Sequence, residues 1–295
     1  MGAVLYYAVL PLLYLISLLP FRALYILSDG MYFLIYKVLG YRTKVVLQNL
    51  RNSFPEKTEA EIQAITKKFY RYFCDLILET IKTITISPAS VKRHVQFDDI
   101  SLFKQYQEQN QSVIIVMGHF GNWELGGARF AVEPIHKLYV IYHPLSNKYF
   151  EKLIVHMRTR LGNRLYAMKD VLRGMVQNRS ELTATAFIAD QTPSNEGAYW
   201  MEFLNQDTPV FTGTEKLSRK FKYPVIYLTI KRAKRGLYKM ECELLTEHPE
   251  NTSDNEISAL HTKRLEKDIL EQPEIWLWTH RRWKHKRKQP KPIYS

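Results

Sequence analysis

The spacing of apolar and polar positions changes several times along this chain, and each change predicts a different kind of element. From Met1 to Phe21 no residue is charged, and "AVLYYAVLPLLYLISLLPF" is almost wholly apolar, a length that approaches a membrane span. A second apolar stretch, "MYFLIYKVLG", follows Ser28-Asp29-Gly30, and Pro11 and Pro20 are expected to bend or end helices here. Hydropathy alone leaves open whether this segment spans a bilayer or lies in its interface. The run from Val45 to Lys82 then reads as two amphipathic helices broken at Ser53-Phe54-Pro55. From Ser112 onward strand and helix signals alternate. "SVIIVMG", "KLYVIYH", "TATAFIAD" and "YPVIYLTIKRA" are short β-branched runs. Between them lie helical stretches after Asn122, in "NKYFEKLIVHMRTRL", in "KDVLRGMVQN" and in "GTEKLSRKF". "GLYKMECELLTEH" adds a strand expected at an antiparallel edge. This alternation predicts an α/β sandwich with a largely parallel central sheet. No linker interrupts Ser112–Thr246, so the expected organisation is a membrane-associated helical segment over 1–40 and one α/β domain over 41–295.

Composition narrows the class. Hydrophobic residues make up 46% and aromatics 13% of the chain, which excludes a disordered protein. Cys74 and Cys242 follow no metal or redox spacing and suit a reducing cytosol. A cleaved signal peptide is not expected, because a basic leading region and a small-residue cleavage site are both missing. Arg22, Lys37, Arg42 and Lys44 flank the apolar segments, and the positive-inside rule puts the rest of the chain in the cytoplasm.

The net charge of +13 is unevenly spread. After Glu274 there is no acidic residue, while Arg281, Arg282, Lys284, Lys286, Arg287, Lys288 and Lys291 are all basic. "WLWTHRRWKHKRKQPKP" interleaves tryptophan with these cations. Such a tail suits phosphate-bearing head groups, an anionic membrane surface or an acidic protein. By charge alone it also suits nucleic acid. Trp276, Trp278 and Trp283 favour the membrane-interface reading over a solvated extension.

Candidate chemistry centres on "VMGHFGNWELGG", Val116 to Gly127. An acidic residue five positions after a histidine occurs three times, at His94/Asp99, His119/Glu124 and His261/Glu266, so spacing alone decides nothing. His261/Glu266 falls in a helical pattern, where five steps put the side chains about 140° apart. His94/Asp99 sits in a polar connection with no strand leading in. Only His119 follows a buried strand and precedes a helix, with Asn122 as the expected N-cap and Glu124 in the first turn. Gly118 and Gly121 are expected to allow a sharp turn and to leave room for substrate. The carboxyl ends of strands are also where open α/β sheets bind ligands. The expected pair is therefore His119 with Glu124.

Three weaker signals lie elsewhere. Asp190 ends a strand-like run and suits a hydroxyl or a cation, or simply starts the turn before Thr192-Pro193. Arg158 and Arg160 lie on a helix before Gly162. Thr212 and Gly213 open a helix whose N–H groups suit an anion. Walker, dinucleotide-binding, HExxH and serine-elbow motifs are all lacking, and no metal site or cofactor is expected.

Taken together, "NLRNSFP", "GHFGNWE", "YHPLSNKYFEKLIVHMRTRLG", "ADQ" and "WLWTHRRWK", in this order over nearly the whole chain, resemble the bacterial lipid A biosynthesis acyltransferases. These are the late, lauroyl- or myristoyl-transferring members of the lysophospholipid acyltransferase-like superfamily. The resemblance implies a glycerolipid-acyltransferase-like sandwich behind an N-terminal anchor. It also implies acyl transfer from acyl carrier protein, or acyl-CoA, to a lipid hydroxyl at the cytoplasmic face of the inner membrane. The family's histidine and acid fall on His119 and Glu124, its block arginine on Arg158 and its strand-end aspartate on Asp190. Gly121, Asn122, Thr212 and Gly213 join Arg158 and Asp190 as expected substrate-binding residues. Where many members carry Phe-Phe-Gly after that aspartate, this chain reads "EFLNQDTPVFTG", which puts acceptor and chain length in question. The expected partners are acyl carrier protein, an anionic lipid acceptor (most readily a lipid A precursor) and the membrane. Nucleic acid is not among them, because a nucleic-acid binder leaves the GHFGNWE turn without a purpose. A lysophospholipid or aminolipid acyltransferase, or a thioester hydrolase using the same pair on water, are the rival readings.

Overall fold

Strand β2, Val113–Met117, is buried at all five positions. Its alternate side chains feed two different cores. Ile114 and Val116 join Tyr139, Tyr227, Ile257, Trp276 and Trp278 on one face of the sheet, while Val113, Ile115 and Met117 join Leu125, Phe130, Ala186 and Ile230 on the other. A strand apolar on both faces has to lie inside a sandwich, and this one does.

The computed structural model describes residues 2–193 and 198–287. Helices α1 (Gly2–Leu18) and α2 (Phe21–Tyr32), a π-helical stretch Phe33–Val38, α3 (Thr43–Ser53) and α4 (Glu59–Lys82) come first. Then follow α5 (Pro88–His94), β1 (Val95–Phe97) and α6 (Ser101–Glu108). The alternating region comprises β2, α7 (Trp123–Ala131), β3 (Lys137–Tyr142), α8 (Lys148–Thr159), β4 (Arg164–Ala167), α9 (Val171–Gln177) and β5 (Thr183–Ile188). A hairpin β6 (Tyr199–Phe203) and β7 (Gln206–Val210) leads to α10 (Gly213–Phe221), β8 (Val225–Lys234), β9 (Leu237–Thr246) and α11 (Glu256–Glu271).

The main sheet has the order β1-β9-β8-β2-β5-β3-β4. Strands β8, β2, β5, β3 and β4 are mutually parallel, and β9 runs against β8. The expected largely parallel α/β sheet is thus present. The expected edge position of β9 is not, because the short β1 pairs with it in parallel and covers it. Three residues carry too little periodicity to announce β1. The break at Ser53-Phe54-Pro55 separates α3 from α4 as expected, and Thr58 opens α4 with a capping box to Glu61.

Pro20 ends the first helix, but Pro11 lies inside α1, which continues past it. Among the described residues no single helix is long and apolar enough to cross a membrane. Only the bent pair Phe21–Val38 and Thr43–Ser53, at 86°, passes by length and composition together. Helix α2 is fastened to α4 by polar side chains: Ser28 donates to Asp75 at 2.7 Å and Tyr25 to Glu79 at 2.8 Å. Arg235 bridges Asp29 and Asp75. The tail residues from 288 onward lie outside the described part.

Candidate active site

Pairing of β2 with β5 places Met117 opposite Ile188. Two residues beyond each, His119 and Asp190 leave the sheet side by side. The Ala189 N–H donates to the Met117 carbonyl at 2.9 Å, extending the ladder past the strand ends. The His119 N–H then donates to Asp190 Oδ2 at 2.9 Å, and His119 Nδ1 lies 2.6 Å from Oδ1. Trp276 Nε1 adds a third donor to Oδ2 at 2.8 Å. Burial alone would push the Asp190 carboxyl up. The imidazole, the backbone N–H and the indole outweigh it and hold the group at about 2. An ionised carboxylate only accepts, so Nδ1 carries a proton, and in the neutral ring Nε2 is the nitrogen left with a lone pair. That nitrogen faces the Gln191 amide at 3.4 Å, and the Trp123 ring packs edge-on to the imidazole, 4.8 Å between centroids.

The expected pairing of His119 with Glu124 is corrected here. Both belong to one cavity, but the carboxylate on the imidazole is Asp190, while Glu124 is held by Arg158 of α8. Arg158 Nε lies 3.1 and 3.2 Å from the two Glu124 oxygens, and Nη2 donates as well. The reason is positional. Glu124 starts α7, which departs from the sheet towards α8, whereas Asp190 sits in register with His119.

The cavity these groups share has a volume of about 330 Å³ and lies between the sheet and helices α7 and α8. Ile115, Leu138, Ala186 and Leu228 line it from the sheet, and Phe130 and Ile154 from the helices. His119, Glu124, Arg158 and Gln191 are its polar lining, with Thr83, Tyr142, His143 and Asn163.

Other expected ligand contacts turn out to be supports. Gly121 has φ +61°, and a Cβ there would lie 1.7 Å from the Ile230 carbonyl oxygen; at Gly118 it would meet Leu265 at 2.6 Å. These glycines permit close packing and leave no room for substrate. Asn122 does cap α7, accepting from the Leu125 N–H at 2.9 Å, but its amide donates to fully buried Glu79 at 2.7 Å. Glu79 also accepts from Tyr25 and Tyr238, and Tyr72 donates to the Gly121 carbonyl at 2.6 Å. Thr212 and Gly213 do not line the cavity. Glu215, in the same first turn of α10, turns away to accept from Asn255 and Ser258 at the start of α11.

The tryptophan-rich segment is also corrected. Trp276 and Trp278 are core residues, and Trp283 donates to Thr208, so none of the three stands free as an interfacial anchor. The Gly121 N–H donates to Ile275 O and the Leu277 N–H to His119 O, so this segment straps the histidine turn. Arg282 is buried and donates to the Pro209 carbonyl. His261 is buried and pushed down to about 4 by desolvation, and His94 stacks on Phe21 at 3.7 Å. Neither lines the cavity of His119.

A histidine oriented by a buried carboxylate beside an apolar cavity suits proton transfer at a hydroxyl next to an acyl chain. The family model for bacterial lipid A biosynthesis acyltransferases matches residues 2–285. The chain belongs to that family. It is an acyltransferase of lipid A biosynthesis. It is 26% identical over 270 residues to the lipid A biosynthesis palmitoleoyltransferase of Escherichia coli K12, covering 90% of this chain and 86% of that protein. Against the lauroyltransferase of the same organism it is 24% identical over 279 residues, 92% and 89% of the two chains. The myristoyltransferase matches over 54% of the acyltransferase and 49% of its own length, at 22% identity.

Proposed function

We propose that this acyltransferase moves a fatty acyl chain from the thioester of acyl carrier protein to a hydroxyl of a lipid A precursor, with His119 as general base and Asp190 as its orienting partner. The observation that carries the reading is the pair of bonds from His119 to a carboxylate held at about 2. An alcohol is a weak nucleophile. The free Nε2 takes its proton as the oxygen attacks the thioester carbon, and Asp190 stabilises the imidazolium that forms. Collapse of the tetrahedral intermediate breaks the C–S bond, and the proton on Nε2 passes to the leaving thiolate. No serine or cysteine hydrogen-bonds to the imidazole among the described residues, which supports direct attack over an acyl-enzyme.

The apolar cavity takes the acyl chain, its volume falling within the usual range for ligand pockets. Glu124 fixes Arg158, whose Nη1 makes no hydrogen bond to the described residues and is available to the developing oxyanion. The site works at the cytoplasmic face of the inner membrane, reached through the apolar outer faces of α1, α2 and the 33–39 stretch. Val4, Leu15, Ile26, Phe33 and Leu39 are exposed there.

Purified enzyme supplied with acyl carrier protein thioester and a hydroxyl-bearing lipid A precursor should yield the singly further acylated lipid by mass spectrometry. Release of free fatty acid at the same rate with and without acceptor would make the protein a hydrolase instead.

A further inference from the structure

Most arginines inside this fold are matched to carboxylates. Arg158 pairs with Glu124, Arg232 and Arg235 with Asp75, and Arg264 with Asp268 and Glu243. One broad groove breaks the pattern. Lys44, Arg281, Lys284, Lys286 and Arg287 line it, and none of them makes an ion pair among the described residues. The one carboxylate in its lining is Asp207. All five cations are exposed, and five like charges along one groove make a positive field that attracts an anion.

Three features say which anion. The walls are fixed to each other: the Arg42 guanidinium donates to the Thr279 carbonyl at 2.8 Å, and the Asn49 amide donates to Trp278 O and His280 O at 3.0 Å each. Lys44 therefore faces the 281–287 segment across a defined gap. The groove also starts where the apolar skin ends, since Val38, Leu39 and Tyr41 are exposed just before Lys44. A lipid whose acyl chains lie along that skin would present its head group to the groove. Finally, hydrogen bonds tie the backbone of the groove's 281–287 wall to the loop that carries the histidine's neighbour. Thr192 Oγ1 donates to the Arg282 carbonyl at 2.8 Å, and the neighbouring Gln191 amide lies 3.4 Å from His119 Nε2.

We propose that this groove is the subsite for a phosphate ester on the acceptor lipid's head group, holding it while the acceptor hydroxyl reaches His119. The proposal rests on the acyltransferase reading above and names the acceptor chemistry that reading leaves open. Arg281 and Arg287 suit the oxygens of a phosphate through paired N–H donors, and the lysines supply compact charge. Gln48 on α3 adds a neutral hydrogen-bonding group to the lining, while the Asn52 amide is taken by Gln206 at 3.2 Å.

The test is steady-state kinetics on the full-length enzyme with the carrier-protein thioester as donor. Two acceptors are compared: a phosphorylated lipid A precursor, and the same lipid after enzymatic removal of its phosphates. The combined variant Arg281→Gln, Lys284→Gln, Arg287→Gln leaves buried Arg282 in place. Replacing Lys104, Lys239 and Lys263, exposed on other surfaces, removes the same charge as a control. The groove variant should raise the KM for the phosphorylated acceptor about tenfold or more, with kcat within a few-fold and the donor KM unchanged. Its KM for the dephosphorylated acceptor should match the unmodified enzyme's, and the control variant should match it on both. A rise in donor KM instead would assign the groove to the carrier protein and overturn the proposal. So would an equal effect on both acceptors, an equal effect of the control variant, or no effect at all. Each of these outcomes leaves transfer itself measurable, whereas an unmodified enzyme that transfers to neither acceptor would sink the parent reading.

Discussion

An aspartate that accepts two bonds from one histidine fixes both the ring's tautomer and its direction, and it does so at Asp190 with donors 2.6 and 2.9 Å away. Both residues were legible from the sequence as strand-end groups, and so was the strand before each. Their pairing was not, because it depends on β5 lying beside β2, and strand order is a property of the whole sheet. Proximity in sequence favoured Glu124, and helix direction takes that carboxylate to Arg158 instead. Glu124 and Arg158 should therefore behave as one unit. In a double-mutant cycle Glu124→Gln and Arg158→Gln should each lower kcat/KM, and the pair should cost much less than the two losses added. Simple additivity between them would show that the ion pair has no common role.

At the scale of elements, the turn between β2 and α7 is held from beneath by α4. Glu79 is fully buried and its carboxyl is raised by desolvation, yet it gathers the Tyr25 and Tyr238 hydroxyls and the Asn122 amide. The sequence presents Glu79 as one more polar position on an amphipathic helix, so nothing in its local pattern could mark it. The strand and helix assignments around His119 stand because their periodicity is strong, while β1, β4 and the β6–β7 hairpin carried too little signal. Glu79→Gln replaces an acceptor oxygen with a donor facing donors. It should destabilise the protein by about 1–3 kcal/mol in urea unfolding and lower kcat by displacing the turn. Tyr25→Phe, which removes one of the three bonds, should cost less. A Glu79→Gln protein as stable and active as the parent would contradict this support role.

For the molecule as a whole, the N-terminal helices cannot be treated as a detachable anchor. Leu24 and Ser28 are buried against the body, and Asp75 and Glu79 each take one of their partners from α2. Cutting the chain after Tyr36 would leave two buried carboxylates short of donors, so substitution is the better probe of attachment. Phe33 and Leu34 are 62% and 50% exposed. Changing both to glutamate should leave the folded state intact and reduce co-sedimentation with anionic lipid vesicles about tenfold or more, since each apolar side chain contributes roughly 1.5–3 kcal/mol when buried. Unaltered vesicle binding would move the attachment surface elsewhere.

If His119 is the general base, Asp190 has to be its partner, and one substitution tests that pairing. Asp190→Asn keeps the shape but presents the wrong hydrogen-bonding groups to His119 Nδ1 and its backbone N–H. With saturating donor and acceptor, kcat for transfer should fall by roughly 10²–10⁴, the range expected of general base catalysis. The double variant with His119→Ala should be little worse than His119→Ala alone. A folded Asp190→Asn enzyme that keeps near-parental kcat would show that His119 does not depend on this aspartate, and would give the orienting role to another group.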